Sequence, residues 1–302
     1  MELIILGTSS AMPTLHRGLS STIFQYNGEI FVFDCGEGTQ MQMLRVGLRR
    51  GKIRAIFISH LHGDHYYGLA GLLTTLSLDE RTAPLQLFAP VGIKTFLRAI
   101  RALGPKALNF PLEVRELRPG FSGTILEGPD YTISAMPLDH TILTFGYRFQ
   151  QKTRPGRFQV ERARALGVPE GPLFGKLQRG EVIELPGGAR VHPEQVLGPP
   201  RPGKSFVYCL DTAFCENAIA LSENAHTLVH EATYTEAFSQ LARERKHATM
   251  AQAATVAKEA RVSRLVAVHF SARFSDLRPL EAEGRRIFSR IVMGKDLMRI
   301  EL

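Results

Sequence analysis

Four potential metal ligands fall within six residues, His60-Leu61-His62-Gly63-Asp64-His65, directly after the apolar run Ile53 to Ser59. His60 and His62, two apart in an extended segment, project to the same side, whereas Asp64 and His65 stand where a helical pattern begins. That arrangement allows two neighbouring metal sites. Imidazoles crowded at the end of a strand otherwise compete for hydrogen-bond partners, and zinc takes such nitrogens readily. A fold built on this segment has to bring further ligands to the end of the same strand.

Ligand sites in α/β sheets gather outside the carboxyl ends of strands. Three residues answer that description: His140 after Tyr131 to Leu138, Asp211 after Phe206 to Leu210, and His269 after Leu265 to Val268. Each alone is weak, since strand ends also use polar residues to begin a turn. With the cluster they make five His and two Asp, the complement two zinc ions need if one carboxylate bridges and water completes the shells.

The rest of the chain fits an α/β layered fold. Short apolar runs at Leu3 to Leu6, Phe31 to Phe33, Ile53 to Ile58, Phe206 to Leu210 and Leu265 to Val268 read as core strands. They interleave with helical spacing over Asp64 to Leu78, Val91 to Leu103 and Thr249 to Ala260. One segment departs, Gln150 to Lys204, where Gly and Pro fill 17 of 55 positions against 44 of 302 overall, and ten Lys or Arg face five Asp or Glu. It reads as a projecting insertion, long enough to be functional or disordered. The net charge of +8 favours an anionic partner. The three cysteines, Cys35, Cys209 and Cys215, show no Cys-x-x-Cys spacing and read as buried small hydrophobes. With no long apolar stretch and no secretory pattern after Met1, the expected compartment is the cytosol and no membrane is involved.

The pattern His-x-His-x-Asp-His with a later His, Asp and His resembles the metallo-β-lactamase superfamily along nearly the whole chain, which implies an αββα four-layer sandwich. Within it, Phe33-Asp34-Cys35-Gly36-Glu37-Gly38-Thr39-Gln40, His230-Glu231-Ala232-Thr233, His247-Ala248-Thr249 and Ala267-Val268-His269-Phe270-Ser271-Ala272-Arg273 resemble motifs of the ribonuclease Z family. The Gln150 to Lys204 insertion occupies the place of that family's flexible tRNA-binding arm. The resemblance implies an endoribonuclease that removes the 3′ trailer of precursor tRNA and leaves a 3′-hydroxyl. It implies that His60, His62 and His140 hold one zinc, that Asp64, His65 and His269 hold the other, and that Asp211 bridges them. Asp64 is then the orienting base, and His247, oriented by Glu231, protonates the leaving oxygen. Arg273, four residues after His269, suits a phosphate oxygen through its guanidinium fork. Asp34, Gly36 and Gly38 read as structural residues of a strand-to-helix turn. A homodimer is implied too, the arm of one subunit gripping tRNA whose acceptor end enters the other.

The chain departs from the family in the loop Pro13-Thr14-Leu15-His16-Arg17-Gly18, where the family pattern is Pro-x-Lys-x-Arg-Asn, a loop linked with sensing the CCA end. Other functions remain open to such a centre, among them an arylsulfatase, a small-molecule phosphodiesterase, or RNA binding without catalysis. A small ester gives no reason for a basic insertion of this size, while a folded RNA does.

Overall fold

Alternation within the strands decides the architecture. In Glu29–Phe33, Ile30 and Val32 face one way and Phe31 and Phe33 the other; in Ser205–Cys209, Val207 and Cys209 oppose Phe206 and Tyr208. Each strand thus presents an aliphatic face and an aromatic face, and both need cover. The structure, a computed structural model, describes residues 1–103 and 108–302.

Two seven-stranded sheets provide the cover. The first runs in the order Met298–Glu301, Glu2–Gly7, Ser21–Tyr26, Glu29–Phe33, Ile53–Phe57, Leu85–Pro90, Leu112–Leu117, the last four parallel. The second runs Ile291–Met293, Leu265–Val268, Thr227–Glu231, Ser205–Cys209, Thr144–Gln151, Tyr131–Leu138, Gly123–Glu127, the first four parallel. Their aromatic faces meet: the Phe24 and Phe149 rings lie 4.5 Å apart, Phe33 and Phe206 5.0 Å, Phe57 and Tyr147 5.4 Å. Truncating one of these buried Phe residues to Ala costs about 3–5 kcal/mol.

The aliphatic faces take helices. Leu69, Leu72 and Leu76 of helix Gly68–Leu78 join Ile4, Val32 and Ile56 in one core, and Ala253 and Ala257 of helix Met250–Glu259 join Val207, Leu228 and Leu265 in another. Helix, sheet, sheet and helix make the expected αββα sandwich. Among the described residues no helix is long and apolar enough to cross a membrane. Cys35 and Cys209 are buried, but Cys215 is partly exposed, against expectation.

The helix read over Asp64 to Leu78 is divided into Gly63–Tyr66 and Gly68–Leu78. The Gly68 N–H is diverted to the carbonyl of Cys35, 2.9 Å away. A Cβ on Gly68 would stand 2.1 Å from the Gly36 carbonyl oxygen, and one on Gly36 2.3 Å from that of Asp64. Two glycines therefore let the turn that carries Asp64 and His65 press backbone to backbone against the turn at Asp34.

Residues Gln150–Lys204, with Gly128–Thr132, form a second compact unit. It is not a structureless loop. Helices Val160–Ala165, Pro172–Gln178 and Pro193–Val196 and a ribbon of Ile183–Glu184 with Arg190–Val191 surround a small core of Ala163, Val168, Leu177, Ile183, Val191 and Val196. Its ends are closed by paired backbone bonds between Arg154 and Arg201 at 3.0 and 2.9 Å.

Candidate active site

The ligand candidates stand at strand ends, and backbone conformation aims them. Asp34, Asp211 and His269 all adopt left-handed φ values, +57°, +51° and +60°. Such residues turn the chain sharply out of the strand at a steric cost that surrounding bonds have to hold. The structure brings His60, His62, Asp64, His65, His140, Asp211 and His269 to one place.

The hydrogen bonds on the far side of four imidazoles dictate which nitrogen faces inward. His140 Nδ1 lies 2.8 Å from the Lys246 carbonyl and His65 Nδ1 2.7 Å from Asp34 Oδ2, acceptors only, so both Nδ1 atoms carry the proton. Ser59 Oγ donates to Asp34 Oδ2 at 2.8 Å, which leaves it to accept from His60 Nδ1 at 3.0 Å. Thr233 Oγ1 donates to Glu231 Oε2 and accepts from His269 Nδ1 at 2.9 Å. Four Nε2 lone pairs are thereby turned toward the centre.

There they form two groups. His60 Nε2 is 3.0 Å from His62 Nδ1, His140 Nε2 is 3.3 Å from the same atom, and Asp211 Oδ2 is 3.5 Å from His60 Nε2 and 3.8 Å from His140 Nε2. His65 Nε2 is 3.3 Å from Asp64 Oδ2 and 3.2 Å from Asp211 Oδ1; His269 Nε2 is 3.8 Å and 3.0 Å from the same two oxygens. Tetrahedral zinc with ligands near 2.1 Å separates its donors by about 3.4 Å. Both groups have that spacing, and Asp211 offers one oxygen to each. His65 Nε2, His269 Nε2 and Asp211 Oδ1 are moreover buried without hydrogen-bond partners. Unmet lone pairs in a dry site are costly, and a cation satisfies all of them at once. Both groups can therefore hold metal.

Charge agrees. Burial pushes the Asp211 carboxyl up, but His269, His65 and His60 bring it well below the usual carboxylate range. Burial likewise opposes charge on His65, yet Asp211, Asp34 and Asp64 raise it well above an ordinary imidazole.

His247 and Glu231 sit beside this cluster. Glu231 is fully buried and accepts from the Thr212 N–H at 2.7 Å, the Ala248 N–H at 3.0 Å and His247 Nδ1 at 3.0 Å. Burial works against the charge on both, but the pair prevails: Glu231 is lowered, and His247 is pushed up to about 9 by Glu231 and Asp211. His247 Nδ1 is also 3.9 Å from Asp211 Oδ2, so it lies at the edge of the first group. Thr249 caps helix Met250–Glu259 through a bond from the Gln252 N–H, holding the backbone two residues after His247. Arg273 is exposed, its Nε donating to Ser271 Oγ at 3.1 Å. In the loop Pro13 to Gly18, Arg17 bonds the Phe274 carbonyl at 2.9 Å, Asp296 Oδ2 accepts the Gly18 N–H at 2.6 Å, and Leu15 is 98% exposed.

Asp34 does more than shape its turn: it orients His65 directly and His60 through Ser59. Sequence reasoning missed it, although Asp34 directly follows the run Phe31 to Phe33. The strand-end test that finds His140, Asp211 and His269 applies to it equally. Thr233 and the Lys246 carbonyl carry no such signal.

The family model for anti-Pycsar protein Apyc1 matches residues 1–102. Ribonuclease Z of Salinibacter ruber is 46% identical over 100% of this chain and 94% of its own length, and that of Methanosarcina acetivorans 39% over 100% and 98%. The structure of the short form of human tRNase Z superposes with a TM-score of 0.73 at 28% identity, covering 100% of this chain and 99% of that one. The metallo-β-lactamase fold protein YhfI of Bacillus subtilis shares the fold, with a TM-score of 0.70 at 18% identity over 99% and 98%. By its identity along the full length to several curated relatives, this chain belongs to the ribonuclease Z family, built on a metallo-β-lactamase fold.

Proposed function

We propose that the chain is a zinc-dependent endoribonuclease that removes the 3′ trailer of precursor tRNA, leaving a 3′-hydroxyl. The observation that carries this reading is Asp211, which offers one carboxylate oxygen to each of two donor groups. His60, His62 and His140 would hold one zinc, Asp64, His65 and His269 the other, with Asp211 between. Two zinc ions there supply Lewis acidity at a phosphate and lower the pKa of water toward neutrality.

The chain's own groups do the rest. Asp64, partly exposed, orients the attacking water. His247 gives its Nδ1 proton to Glu231 in a hydrogen bond, so the second ring proton, on Nε2, is the one available to the leaving 3′ oxygen. The Glu231 carboxylate raises the His247 pKa and so favours that proton at neutral pH. Arg273, with a free guanidinium edge, takes a phosphate oxygen.

The Gln150–Lys204 unit, with ten basic residues to five acidic, is the arm that grips tRNA. The active form is a cytoplasmic homodimer in which each arm serves the other subunit's site. The test is to offer the zinc-loaded protein a precursor tRNA and a small chromogenic phosphodiester, with a chelated control. Zinc-dependent cleavage of the RNA is expected; hydrolysis of the small ester with intact RNA would move the function to a small-molecule hydrolase.

A further inference from the structure

Beside His247 lies the buried ring of Tyr234, 6.0 Å between centroids. The Arg273 guanidinium covers that ring, its carbon 5.2 Å from the centroid, and also covers Phe238 at 4.9 Å. Phe238 meets Phe274 edge-on at 5.8 Å and is itself 37% exposed. Among the described residues no carboxylate pairs with Arg273, whose Nε bond to Ser271 leaves the outer edge of the guanidinium unused. An exposed cation without an acid, stacked on an exposed ring, thus extends outward from the residue that holds the proton.

We propose that Phe238 and Arg273 form a stacking platform for one unpaired nucleobase, that of a nucleotide adjoining the scissile phosphate. The inference rests on the RNA-cleaving function above. A phosphate alone accounts for the guanidinium edge but not for the exposed part of the Phe238 ring beneath it. A nucleotide uses both, since its base stacks on an aromatic or guanidinium plane while its phosphate takes the N–H donors. Stacking tolerates any base, because each has a π face. The platform therefore holds the strand in register without reading its sequence, as a trailer of arbitrary sequence requires.

The test uses the full-length zinc-loaded protein and three precursor tRNAs, one intact and two abasic, one at each nucleotide flanking the cleaved bond. With the parent protein, removing the contacted base should raise KM roughly 5- to 100-fold, the range for loss of one stacked base. Phe238→Ala should raise KM on the intact precursor by a similar factor, Phe238→Trp should restore it, and on the precursor lacking that base Phe238→Ala and the parent should coincide. Zinc content and melting temperature, read on each variant, report the fold. Equal losses from Phe238→Ala on the intact and both abasic precursors, or two abasic substrates that both bind as well as the intact one, would overturn the platform. A parent protein that leaves the intact precursor uncut would overturn the function beneath it, which is a separate result.

Discussion

Replacing Asp34 with Asn changes one atom and probes the whole outer layer of the centre. Oδ2 of Asp34 accepts from His65 Nδ1 at 2.7 Å, Ser59 Oγ at 2.8 Å and Tyr208 OH at 3.0 Å, while Oδ1 accepts from the Ser59 N–H at 2.7 Å. An Asn can turn its oxygen to the three donors or to the one, never to both. In the better case the Ser59 N–H is left buried and unpaired, at about 1–3 kcal/mol of stability. Loss of the charge also weakens the hold on the His65 tautomer, and outer partners of metal-bound His typically govern 10- to 100-fold in affinity. We therefore expect Asp34→Asn to fold and to lose about 10- to 100-fold in zinc affinity at the His65, His269 and Asp64 group. The loss at the His60 group, reached only through Ser59, should be smaller. Stepwise chelator titration, with melting temperature read in parallel, measures both. Two equal losses, or unaltered affinity at both sites, would refute the relay through Asp34.

Asp211→Ala should abolish RNA cleavage and release both metals, seen as zinc stoichiometry by mass spectrometry of the native protein. His247→Ala should cut kcat by about 10²- to 10⁴-fold with zinc content unaltered, because its proposed role is protonation. Glu231→Gln removes the charge that raises His247; the imidazole then loses its proton at lower pH, so the basic limb of the kcat–pH profile should move toward acid and activity at pH 8 fall more than at pH 6. Deleting Thr153 to Arg201 should weaken tRNA binding far more than hydrolysis of a small phosphodiester, and should flatten the salt dependence of binding.

Much of this was legible because period-two alternation and strand-end ligands are local signals. Phe31, Phe33, Phe206 and Tyr208 alternate with aliphatic residues, and that alone announces two faces in need of cover. Of the candidate ligands, His60, His140, Asp211 and His269 each stand just past an apolar run, and His62, Asp64 and His65 follow within five residues of the first. The Gly36–Gly68 approach was hidden, because a glycine's clearance depends on a backbone more than thirty residues away. So were the Lys246 carbonyl, which acts through position and not residue type, and Thr233, whose hydroxyl meets His269 thirty-six residues away only in the fold. The helices of the inserted unit escaped notice because they are four to seven residues long and flanked by Gly and Pro, too short for a helical period to stand out. The stack of Arg273 on Tyr234 and Phe238 joins residues thirty-five or more apart and leaves no trace in spacing.

The most direct measurement maps both new ends after a precursor tRNA is cut by the zinc-loaded protein, with a chelated sample beside it. Attack by water with departure of the 3′ oxygen predicts a 3′-hydroxyl on the tRNA, a 5′-phosphate on the trailer, and no product in the chelated sample. A 2′,3′-cyclic phosphate, which marks attack by the RNA's own 2′-hydroxyl, or cleavage that survives removal of the metal, would contradict the account.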